Sequence, residues 1–221
     1  MAPMQFFNFA ALVVLFAAQA AAQTSEIAAS VNDDKGKPVS DAIVVAVPAD
    51  GVIRPPPRAR EAIIDQINRE FEPKVTAVLA GTAVIFPNHD DVRHQVYSFS
   101  PAKRFELPLY AGVPSKPIVF DRPGVIVLGC NIHDWMVGYV YVSDSPYFAK
   151  TGKDGKALLT DLSPRAYVVR VWHPQLEGTE EATKKNVDAS RSRSVEVAWT
   201  IKLKPEARIR RAPVADRPGR Y

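Results

Sequence analysis

Sulfur is nearly absent from this chain. Its 221 residues include one cysteine, Cys130, and three methionines. An internal disulfide is therefore excluded. Helix-forming stretches are scarce too, and 19 prolines against 11 glycines favour many short elements joined by loops. Only four histidines are present, too few for an enzyme with several histidine-ligated metal centres. Charge of either sign is missing from residues 1–22, where an apolar run, Phe6 to Ala18, precedes small residues around Ala20-Ala21-Ala22. The pattern reads as a secretory signal peptide, 1–22, cleaved near Gln23. The run is shorter than the ~20 residues of a membrane span, so no stable membrane insertion is expected after cleavage, and the periplasm is the expected compartment.

The formal net charge of +4 is concentrated at one end. Between Glu206 and Tyr221 five Arg face two acids, so the body of the chain is close to neutral. A nucleic-acid surface needs a larger basic footprint on the folded part, and none is expected. The segment 205–221 reads as a basic mobile tail.

Short apolar runs separated by turn residues recur along the chain, which predicts an all-β fold of sandwiches. Strands are expected at Ser25–Val31, Ala42–Val47, Ala62–Ile67, Val75–Leu79 and Ala83–Phe86, with Gly81 closing a hairpin between the last two. His94–Phe99 alternates, with His94, Val96 and Ser98 on one face. Pro101–Lys116 reads as irregular, and Pro117–Phe120 resumes the sheet. Val125–Leu128 is continuously apolar, as a strand buried on both faces would be. Val137–Val142, Ala166–Trp172 and Val195–Leu203 complete the set, and Glu177–Arg193 reads as a long polar loop. Pro55-Pro56-Pro57 is a stiff extended linker.

The chemistry is concentrated in Cys130-Asn131-Ile132-His133-Asp134-Trp135-Met136. Met1 and Met4 leave with the signal peptide, so the only thiol and the only remaining thioether stand six residues apart with a histidine midway. A loop between adjacent strands can turn residues i, i+3 and i+6 toward one point. Two His and one Cys in a trigonal array, with a weak axial Met, form an electron-transfer copper site, whereas zinc does not recruit Met. The remote imidazole is His94, at the start of an alternating strand. His89, in the exposed turn Asn88-His89-Asp90-Asp91, is its competitor, and His173 reads as a strand-terminal surface or interface residue. A Cys130 nucleophile with His133 as base leaves Met136 unexplained.

The stretch Phe71–Val142 resembles a plastocyanin-type cupredoxin. The hairpin Lys74–Pro87, the loop Asn88–Arg93, His94 and the Cys130 loop come in the order of that fold. Cys-x-x-His-x-x-Met is similar to the short ligand loop of amicyanin and to bacterial exported proteins of the methylamine-utilization type. The resemblance implies one type 1 (blue) copper held by His94, Cys130, His133 and Met136, at one end of an eight-stranded Greek-key sandwich. It also implies a single-electron carrier, not an enzyme, that serves a redox partner such as a cytochrome or dehydrogenase. A copper chaperone, buffer or sensor, or a structural β-protein, is the alternative. Ile132 stands where such loops carry Pro, and Gln95 where Asn commonly ties the ligand loops. Trp135, Tyr139 and Phe86 are candidates for the apolar wall of the site.

The flanks resemble a carboxypeptidase-regulatory-like, prealbumin-type sandwich. Val31–Pro48 resembles its first hairpin and Phe148–Val171 its continuation. The expected organisation is therefore 23–54 as the first hairpin of a flanking sandwich, 60–144 as the cupredoxin unit, inserted in or flanked by it, and 145–204 as the rest of that sandwich.

Overall fold

The computed structural model describes residues 24–53, 61–114 and 116–205. The signal-peptide reading, the Pro55–Pro57 linker and nearly all of the basic tail lie outside the described residues. The strands are β1 (Ser25–Asp33), β2 (Ile43–Pro48), β3 (Glu61–Ile63), β4 (Asp65–Ile67), β5 (Glu70–Glu72) and β6 (Val75–Leu79). They continue as β7 (Thr82–Ile85), β8 (His94–Ser98), β9 (Phe105–Tyr110), β10 (Ile118–Phe120), β11 (Gly124–Gly129) and β12 (Val137–Ser143). The last are β13 (Tyr147–Lys150), β14 (Lys156–Leu162), β15 (Ala166–Trp172), β16 (Lys185–Asp188) and β17 (Ser194–Ile201). Among the described residues the helical content is a single 3-10 turn, Glu180–Thr183, and no helix is long and apolar enough to cross a membrane. The all-β expectation holds.

Among the described residues there are two large hydrophobic cores and a smaller cluster. The first lies between the sheets β14-β1-β17 and β13-β2-β15-β16, and is filled by Ile27, Val44, Leu159, Tyr167, Val169 and Trp199 among others. The second lies between β10-β7-β3 and the five-stranded sheet β6-β12-β11-β8-β9. In the latter, β8 and β9 form a hairpin, the chain crosses to the other sheet as β10, and β11 returns beside β8, a Greek-key path.

A seam joins the outer faces of two sheets. Ile43 and Val45 of β2 pack with Val75 and Tyr141, flanked by Trp172 and Tyr139. Val44 and Ala46 of the same strand point the other way, into the first core. The uninterrupted apolar run of β2 follows, because both of its faces are covered. Polar bonds close the seam edge. Arg170 Nε donates to Glu180 at 2.7 Å, the Tyr141 hydroxyl donates to the same carboxylate at 2.5 Å, and Lys150 Nζ donates to the Val75 carbonyl at 2.8 Å.

Several local expectations are corrected. The Lys74–Pro87 hairpin does not form: β6 pairs with β12 and β7 with β3 and β10, so Gly81, at φ +92°, carries the chain from one sheet to the other. Val31–Pro48 is likewise no hairpin, since β1 pairs with β14 and β17 and β2 with β13 and β15. In both cases the two strands lie in sheets that face each other across a hydrophobic core. Ala62–Ile67 breaks at Ile64 into β3 and β4, which pair with different strands. Pro101–Lys116 contains β9, whose Pro108 sits on an edge strand where its missing N–H is tolerated. The polar stretch Glu177–Arg193 contains β16, anchored through Val187. In β11, Val127 is 43% exposed, so that strand is covered on one face only along its middle.

Candidate metal centre

Three of the four predicted site residues converge. His94 begins β8 and is fully buried, and Cys130, 3% exposed, follows the last residue of β11. His133 lies in the loop from β11 to β12 and is half-buried. The Cys130 sulfur lies 3.8 Å from His94 Nδ1 and 3.9 Å from His133 Nδ1. All three donor atoms fall within 4.8 Å of one another. A metal at the centre of a trigonal array, with bonds of about 2.3 Å to sulfur and 2.0 Å to nitrogen, requires a sulfur–nitrogen separation of about 3.7 Å. The two sulfur–nitrogen sides have about that length, so the donor set suits one small transition-metal ion.

Met136, the fourth predicted residue, is fully buried in the core that also contains Cys130. The loop is shaped by two tight turns. Met136 N–H donates to the His133 carbonyl at 2.8 Å, and Val137 N–H to the Trp135 carbonyl at 3.0 Å. Trp135 lies beside His133, with ring centroids 5.1 Å apart. Gly129, just before Cys130, permits a close approach: a Cβ there would meet the Tyr97 ring at 2.7 Å. Phe86 is buried in the same core, against Phe105 and Phe120. Tyr139, proposed for the same wall, instead faces the seam, because it alternates with Val140 along β12.

His94 is held from behind. Its Nε2 lies 2.7 Å from Asp90 Oδ2, which leaves Nδ1 facing the cysteine. Burial opposes ionisation of Asp90, but the Arg69 N–H, the His94 ring and the Asn68 N–H outweigh it and hold the carboxyl below its ordinary value. Asn88, also buried, donates to the Val92 and Tyr110 carbonyls at 2.9 Å each and ties this loop to β9. Gln95 is bonded to Glu106 and takes no part in that tie. Sequence reading placed Asp90 and Asn88 in an exposed turn.

His89 is exposed and pairs with Asp65 at 2.7 Å, away from the three donors. His173 is part-buried at the end of β15, and its Nδ1 accepts from Gln175 N–H at 3.1 Å. Deeper in, the Tyr110 hydroxyl donates to the Phe86 carbonyl at 2.5 Å, and burial pushes its phenol up to about 12.

Burial holds both His133 and His173 below the ordinary value of 6.5, with the His94 and Arg69 charges adding to the effect on His133. For each, the folded state prefers the neutral ring, so the unfolded chain binds more protons as the pH falls below 6.5. Stability of the metal-free protein is therefore full above that value and declines below it. Urea unfolding at stepped pH should show this decline, and His173→Gln should make it shallower while leaving the neutral-pH value nearly unchanged.

No family model and no curated protein matches the chain. Solved structures of copper proteins do. A purple cupredoxin from Nitrosopumilus maritimus is 28% identical over 37% of this chain and 99% of its own, at a TM-score of 0.34. An amicyanin variant with Cu(I) is 20% identical over 38% of this chain and 82% of its own, at 0.34. A copper-containing nitrite reductase from Thermus scotoductus is 24% identical over 52% of this chain but only 28% of its own, at 0.36. Scores this low add no weight of their own. The case rests on the strand topology and the donor triangle.

Proposed function

We propose that this chain is an exported single-electron carrier of the cupredoxin type, with one type 1 copper held by His94, Cys130, His133 and Met136. The observation that carries the reading is the triangle of one thiol sulfur and two imidazole Nδ1 atoms, closed by contacts of 3.8 and 3.9 Å and set at the rim of an apolar core. Copper bound there would supply a Cu(I)/Cu(II) couple. The protein residues supply the rest. Cys130 is buried and shielded from water, and Asp90 fixes the His94 ring. Met136 offers a soft axial donor from the same loop. His133, half-exposed, is the edge at which a redox protein such as a cytochrome or dehydrogenase would dock; Ile132, 49% exposed, lies beside it. Such contacts are small and short-lived. The core of β1, β2 and β13–β17 is read as a prealbumin-type support.

The test is a redox titration with a measurement of electron self-exchange. A reversible one-electron couple with rapid exchange supports the carrier. Tightly held Cu(I) with very slow exchange would favour a storage or delivery protein. Within the same experiment, Met136→Leu should raise the potential, because removing the thioether weakens Cu(II) more than Cu(I). Each tenfold change in relative affinity is worth ~59 mV for one electron. An unchanged potential would remove Met136 from the ligand set.

A further inference from the structure

A small hairpin outside the two facing sheets grips the back of the site. Strands β4 and β5 pair through Ile67 and Glu70, so the loop between them is only Asn68-Arg69. Both loop residues adopt the left-handed conformation, at φ +56° and +59°. Two-residue hairpin loops of this hand usually contain glycine, and an arginine there is strained. The arrangement points both backbone N–H groups at one carboxylate. Asn68 N–H donates to Asp90 Oδ1 at 2.6 Å and Arg69 N–H to Asp90 Oδ2 at 2.8 Å. Asp90 Oδ2 is also the atom that meets His94 Nε2 at 2.7 Å.

The hairpin is itself anchored. Phe71 of β5, 1% exposed, lies against Gly138, where a Cβ would come within 2.9 Å of the phenylalanine Cβ. Gln66 of β4 is fully buried, and its backbone N–H donates to the Pro87 carbonyl at 3.0 Å while its carbonyl accepts from His89 N–H at 3.1 Å. These bonds join β4 to the loop that bears Asp90.

We infer that the Asn68-Arg69 turn is a positioning element for the metal centre: its paired N–H groups fix the Asp90 carboxylate, and through it the orientation of the His94 ring. The inference rests on the copper reading for its redox consequence, but the contact itself does not need the metal. A carboxylate clamped by two N–H donors cannot swing away when the charge at the site changes. His94 then keeps one orientation in both oxidation states.

Two measurements test this. In the copper-free protein, amide hydrogen exchange at Asn68 and Arg69 is slow, and Asp90→Ala accelerates it at least tenfold. In the copper-loaded protein, Asn68→Pro removes one N–H and forbids the positive φ. It shifts the potential in the same direction as Asp90→Asn, by a three- to tenfold change in relative Cu(I)/Cu(II) affinity, up to ~59 mV. Asn68→Gly, which keeps the N–H and the left-handed backbone, restores the native value. Amides that exchange equally fast with and without Asp90 would overturn the inference, as would a native potential in a folded Asn68→Pro variant beside a shifted one in Asp90→Asn. If Asn68→Pro does not fold, the exchange measurement decides alone. A protein that binds no copper defeats the carrier reading, and the exchange result still reports on the turn.

Discussion

Copper loading is expected to raise the thermal midpoint of the protein by roughly 8–16 °C at a free copper concentration about a thousandfold above the dissociation constant. Binding to the folded state alone adds about 4 kcal/mol at that ratio. For a chain of this size each kcal/mol moves the midpoint by about 2–4 °C. The effect follows from convergence: Cys130 directly follows β11, His133 lies in the loop from β11 to β12, and His94 comes from the start of β8, so the three donors meet only in the folded chain. Calorimetry with and without copper reads it directly. Cys130→Ser should lose most of the shift, because a hydroxyl is a poor substitute for a thiolate. A midpoint indifferent to copper would mean that the triangle is not a binding site.

The second large effect is mechanical. Phe86→Ala should destabilise the protein by about 3–5 kcal/mol, the range for removing a buried aromatic ring. Phe86 is fully buried, with Phe105 and Phe120 rings at centroid distances of 5.8 and 6.4 Å. Its side chain lies in the core that contains Cys130 and Met136 and offers no donor atom, so the variant should lose stability while retaining the copper signature. Phe99→Ala is the matching control. That ring is 72% exposed, and its removal should change stability by no more than about 0.5 kcal/mol. Denaturant unfolding of the two variants separates core packing from mere aromatic content.

The parts of this fold that were legible in the sequence are those governed by local pattern. The alternation of His94, Val96 and Ser98 marked the inward face of β8, and all three are buried. The spacing of Cys130 and His133 marked a ligand loop, and the two side chains do meet. The apolar run at Ile43–Val47 marked a strand but not the reason for its purity, which is the seam on its second face. What was not legible depends on partners distant in sequence. Nothing in Val75–Ile85 distinguishes a hairpin from a crossover between sheets, because both need a glycine at Gly81 and apolar strands on either side. The register that sends β6 to β12 is set by residues more than sixty positions away. Tyr139 could not be assigned to the site or to the seam without knowing which face of β12 looks inward.

Asp90 is the most instructive omission. In the sequence it is one of two adjacent aspartates in a polar turn. Folding brings the Asn68-Arg69 turn onto it and gives it three bonds, one of them to a predicted ligand. Its role comes from turn residues 22 and 21 positions earlier, and no local pattern around Asp90 announces that hairpin. Gln95 is bonded to Glu106 on the neighbouring strand, and Asn88 joins the loop before His94 to β9.

The central claim is that His94, Cys130 and His133 bind copper through the Cys130 thiolate. The most direct measurement is the visible and electron paramagnetic resonance spectrum of the Cu(II)-loaded protein beside Cys130→Ser. The account predicts an intense visible thiolate-to-copper band with narrow copper hyperfine splitting, both absent from the variant. A colourless protein, or copper spectra that are the same with and without the Cys130 sulfur, would contradict it.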